Sequence, residues 1–105
     1  MWFVFPQVAG LGRSSTARFY AVSGLAEARA YLAHPVLGPR LLACATALTE
    51  LPGSDPVRVL GSVDAVKLQS SMTLFARADP EQPVFRTILE QYFAGEPDAG
   101  TTRRL

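Results

Sequence analysis

Residues 62–78 read "SVDAVKLQSSMTLFARA", and from Val63 to Ala78 no turn signal interrupts them. A run of this length without a breaker predicts one helix over 63–78. Its apolar residues Ala65, Val66, Leu68, Met72, Leu74 and Phe75 are spread around the helical wheel rather than gathered in one stripe. A helix patterned in this way is buried on most sides, so the fold is expected to be arranged around it.

Outward from this helix the punctuation is helical throughout. Downstream, in "DPEQPVFRTILEQYFAG", Asp79 is the expected N-cap, Pro80 follows it, Gln82 completes a capping box and Gly95 ends the run. Val84, Phe85, Ile88, Leu89, Tyr92 and Phe93 fall on one face at three-four spacing. Upstream, "SDPVRVLG" sets Asp55 as N-cap, Pro56 at the first helical position and Gly61 at the stop of a short helix. Leu25, Ala28 and Leu32 mark another helix between Ser23 and His34, broken by Pro35. Pro39 opens a helix to about Leu51, with Leu41, Cys44, Ala45, Leu48 and Leu51 as its stripe. "VRVLGSV" has a strand-like look, but no convincing period-two run of β-branched residues competes. The predicted class is all-α: one multihelical domain over 1–95 with two buried central helices, 39–51 and 63–78. The stretch "GEPDAGTTRRL" predicts a flexible tail over 96–105.

Composition narrows the function classes. At 105 residues, 49% apolar and 18% charged, the chain fits one folded domain and is too apolar for disorder. A net charge of +1 supplies no field to gather nucleic acid. The N-terminus lacks a basic region, and Pro6 and Gln7 cut its apolar run short, so it does not read as a signal peptide. Later apolar stretches fall short of the roughly 20 residues that span a bilayer. Cys44, the only cysteine, lies in an apolar run and reads as a small buried hydrophobe; a chain with no internal disulfide fits the cytoplasm. One histidine excludes a histidine metal site, and neither a metal nor a cofactor is expected.

Two groups of polar residues could carry chemistry. Asp64, Lys67 and Ser71 share one arc of the 63–78 helix. They form either a ligand-binding stripe or an Asp64–Lys67 pair with Ser71 bonded back to the preceding turn. In "GLGRSS", Gly10 and Gly12 allow unusual dihedrals, Arg13 offers bidentate recognition of oxygens, and Ser14 and Ser15 add hydroxyls. The string lacks the strand and the Gly-Lys-Ser/Thr ending of a P-loop, and a plain turn with a solvated arginine is the alternative. His34 reads as a structural cap at a helix end, its cation suited to the dipole, rather than a base. "KLQSS" reverses the Ser-x-x-Lys order of penicillin-binding enzymes, so that chemistry is rejected.

The strings "WFVFPQ", "GLGRSS", "LGPRL" and "KLQSSMTLF", in this order and spacing, resemble the small bacterial family of domain of unknown function 1810 over nearly all of residues 1–95. The resemblance implies a multihelical fold with two buried central helices and no established activity. It also implies a further N-terminal helical segment, ending in a histidine-tryptophan-methionine-tryptophan run, of which this chain begins at the methionine. On that comparison Trp2, Phe3 and Phe5 belong to a domain interior, and either the start lies too far downstream or the member is shortened.

Two functional expectations follow. In the first, Arg13, Ser14, Ser15 and Lys67, with Arg40, Asp64 and Ser71, hold a small anionic ligand, phosphorylated ones included. Whether it is an enzyme stays open. In the second, a noncatalytic module binds another protein or itself through an exposed aromatic patch of Trp2, Phe3 and Phe5.

Overall fold

The long uninterrupted run is a single helix. The computed structural model describes residues 5–7 and 22–105, and these form six helices: α1 Leu25–Ala33, α2 Leu37–Thr49, α3 Pro56–Leu60, α4 Ser62–Ala78, α5 Pro83–Phe93 and α6 Ala99–Arg103. The class is all-α. Outside the helices, the Val22 N–H donates to the Gln7 carbonyl at 2.8 Å.

Local chemistry explains where most helices begin. Asp55 accepts from the Val57 and Arg58 N–H groups, Pro56 occupies the first turn, and Gly61, at φ 84°, ends α3 as α4 starts. Helix α2 begins two residues before Pro39, because the His34 Nδ1 accepts from the N–H groups of both Val36 and Leu37 at 3.1 Å. Pro39 then falls in the first turn, where its missing N–H costs nothing. His34 thus closes α1 as its C-cap, its N–H donating to the Tyr31 carbonyl, and its side chain also caps the start of the following helix.

Two expectations about boundaries are corrected. Helix α5 starts at Pro83, with Gln82 as its N-cap, not at Asp79 and Pro80. Gln82 precedes a proline and is held extended at φ −85°, ψ 111°, as sterics against the proline ring require, so helix cannot run through it. Asp79 instead closes α4, its N–H donating to the Phe75 carbonyl, while its carboxylate accepts from the Glu81 N–H. Residues 96–105 are not a loose tail. The Asp98 carboxylate accepts from the Thr101 N–H at 2.8 Å and the Thr101 hydroxyl at 2.7 Å, which starts α6. Thr101 is fully buried and Leu105 packs against the core.

Helix α4 is central and packs on α1, α3, α5 and α6, while α5 also packs on α2. Leu68, Met72, Leu74 and Phe75 are wholly buried in α4, and Phe75 stacks at 5.5 Å from Tyr31 of α1 and 5.7 Å from Phe85 of α5. Helix α2 contributes the stripe Leu41, Ala45 and Leu48, tied to α5 by the Tyr92 hydroxyl, which donates to the Leu48 carbonyl at 2.6 Å. Burial of each large apolar side chain is worth about 1.5–3 kcal/mol, and these contacts join the helices.

Phe5 belongs to this core. It is 6% exposed, so it does not contribute to an open aromatic patch. Trp2 and Phe3 lie outside the described residues. Among those described, the exposed large apolar side chains are aliphatic and include Val57 and Val59 of α3 and Val63 and Val66 at the start of α4. No helix among the described residues is long and apolar enough to cross a membrane.

Candidate functional site

The polar arc of α4 is laid out by helical spacing, with Asp64, Lys67 and Ser71 one turn apart in succession. The Lys67 ammonium pairs with the Asp64 carboxylate at 3.6 Å, the lysine side chain 18% exposed and the aspartate 41%. An ion pair this open to solvent adds little to stability. It does hold the ammonium toward Asp64.

The serines divide their roles differently from the expectation. Ser70, not Ser71, bonds back to the preceding turn, its hydroxyl lying 3.1 Å from the carbonyls of both Val66 and Lys67. The same oxygen accepts from the buried Gln7 amide at 2.6 Å. The Ser71 hydroxyl is fully buried and has no hydrogen-bond partner. An unpaired buried hydroxyl costs about 1–3 kcal/mol, and native structures hold few of them.

Gln7 and Val22 bring two distant points of the chain together beside this arc. The Val22 N–H donates to the Gln7 carbonyl at 2.8 Å, and the Gln7 amide donates to the Ser70 hydroxyl of α4, three residues after Lys67. Arg13, Ser14 and Ser15 lie outside the described residues.

Arg40 stands apart from the arc. It is exposed in the first turn of α2, where its guanidinium faces the Tyr31 hydroxyl. Burial pushes the Tyr31 phenol above its ordinary pKa, and Arg40 draws it back only in part. Tyr31 packs on Phe75, two turns and about 12 Å of helix rise beyond Lys67.

Sequence reasoning passed over a second polar surface. Arg77 and Arg86, from α4 and α5, line a cleft of about 370 Å³ with Pro97 and Thr102 of the C-terminal segment. The one local signal was the spacing of Asp98 and Thr101, which marks a helix start in a stretch otherwise rich in turn residues. Further hollows occur at Arg29 and Asp79, about 290 Å³, and around Asp55 and Arg58, about 520 Å³. No cluster of three or more metal-binding side chains occurs among the described residues.

Comparison with known proteins agrees with this architecture. The model of the family described as "Protein of unknown function (DUF1810)" matches residues 1–105. The chain is similar to the solved structure of the conserved hypothetical protein Rv1873 from Mycobacterium tuberculosis, at 45% sequence identity and a TM-score of 0.96. That likeness covers 99% of this chain and 74% of the mycobacterial one. No curated protein matches.

Proposed function

Because the chain belongs to the DUF1810 family, whose description assigns no activity, we propose from its own residues that it is a cytoplasmic domain binding a small anionic ligand at the α4 arc, phosphorylated ligands included. The observation that carries this reading is the Ser71 hydroxyl, buried without a partner one turn from the Lys67 ammonium. A ligand oxygen that accepts from both groups would relieve the cost of the orphan hydroxyl and gain a charge-assisted bond. Support also comes from Gln7, which bonds to Ser70 beside Ser71 and to the Val22 N–H. In this reading Arg13 supplies the second cation, the two serines add donors, and Asp64 orients Lys67. Arg40, engaged with Tyr31, has no part in it. The cytoplasmic placement rests on the single cysteine.

A thermal-shift screen of phosphates, nucleotides and carboxylates tests the proposal. A ligand at 100 times its Kd adds about 2.7 kcal/mol of stability, an upward shift of several degrees in Tm. Arg13→Ala and Lys67→Ala should each reduce that shift. Ser71→Ala should reduce it as well while leaving the free protein as stable as before or more so, since it removes an unpaired group. An anion that stabilises Arg13→Ala as much as the wild type would sink the reading.

A further inference from the structure

Thr73 stands nine residues after Asp64, two and a half helical turns, and so on the opposite side of α4 from the arc. Here α4, α5 and the C-terminal segment enclose the cleft of about 370 Å³. That volume sits near the lower end of the range of small-molecule sites, about 300–1,000 Å³. Its walls combine the guanidinium-bearing Arg77 and Arg86 with Ala76, Leu89 and Pro97.

The cleft is a built feature. Its C-terminal wall is tied to α4 by the Asp98 N–H, which donates to the Thr73 hydroxyl at 2.8 Å, and by the Gln69 amide, which donates to the Glu96 carbonyl at 3.0 Å. Thr101 lies fully buried within that wall. The Asp98 carboxylate accepts two bonds from Thr101 and so is engaged within α6. Neither Arg77 nor Arg86 has a side-chain hydrogen bond or an ion pair among the described residues. Two arginines therefore line one hollow whose remaining lining is mainly apolar.

We infer that this cleft binds a small carboxylic acid with an apolar body. The carboxylate lies between the Arg77 and Arg86 guanidiniums, whose planar forks suit two carboxylate oxygens. The body covers Ala76, Leu89 and Pro97, which a hydrated inorganic anion would leave wet. This site is independent of the one on the α4 arc.

Calorimetric titration of the full chain with 3-phenylpropionate tests the inference, with 3-phenylpropanamide, acetate and inorganic phosphate as controls. Saturable binding of 3-phenylpropionate is expected, at least tenfold tighter than any control. The variant Arg77→Ala/Arg86→Ala should keep the wild-type circular dichroism and Tm, because both residues are exposed, and should bind the acid at least tenfold more weakly. Lys67→Ala should bind it as the wild type does. Absence of saturation, equal binding of the amide, equal binding of acetate or phosphate, or undiminished binding by the double variant would each overturn the inference. So would loss of binding in Lys67→Ala, which would place the acid on the α4 arc.

Discussion

Gly38 is the residue whose side chain this fold can least admit. A Cβ there would fall inside contact distance of the Leu32 carbonyl oxygen and 2.9 Å from its carbon, both backbone atoms of α1. No rotamer change relieves a clash with backbone, so the corner between α1 and α2 would have to open. Gly38→Ala is expected to cost about 3 kcal/mol, the upper part of the usual range for overpacking. Chemical denaturation measures this, and an unchanged midpoint would show that the corner yields freely. Tyr31 makes a prediction about pH. Its pKa is raised by burial in the folded chain, so the unfolded chain loses the proton first. The contribution to stability is therefore complete below about pH 10 and is lost as pH rises through the folded value. Tm should fall above about pH 10 more steeply in the wild type than in Tyr31→Phe, and parallel pH profiles would refute this.

At the scale of elements, helix boundaries were legible wherever one cap had no rival. The Asp55, Pro56 and Gly61 set was read correctly because all its bonds lie within seven residues. The start of α5 was misread because two prolines compete, and the winner depends on Asp79 having been drawn into the end of α4. Helix α6 was missed because its stability comes from burial of Thr101 and the Thr73–Asp98 bond across 25 residues, not from propensity. The N-cap still matters there. Asp98→Ala is expected to cost about 1 kcal/mol and to raise amide exchange over 99–103 while leaving α4 protected. Unchanged exchange in α6 would show that packing alone holds it.

For the whole molecule, one helix organises everything else. The Cα radius of gyration, 12.5 Å, matches the about 13 Å of a single domain of this length. Helix α4 packs on α1, α3, α5 and α6 with Leu68, Met72, Leu74 and Phe75 buried, and it carries polar residues on two sides. Lys67 and Ser71 lie on one side, next to the Ser70 that holds Gln7, and Thr73 anchors the C-terminal wall of the cleft on the other. The two proposed sites therefore share a scaffold but no side chain, which is why substitutions in one should leave the other intact.

Sequence alone was sufficient for the all-helical class, the turn-free α4, the cap-defined α3 and the amphipathic face of α5. Each is set by dihedral preference, capping and a 3.6-residue period, interactions that span a few residues. Tertiary structure decided which serine of the pair bonds back and which stays unpartnered, that Phe5 enters the core, and that Arg40 meets the Tyr31 hydroxyl. It also brought Arg77 and Arg86 to one cleft with a C-terminal segment that by composition looked unstructured. These outcomes depend on which groups meet across tens of residues, and burial and hydrogen bonding there outweigh local preference.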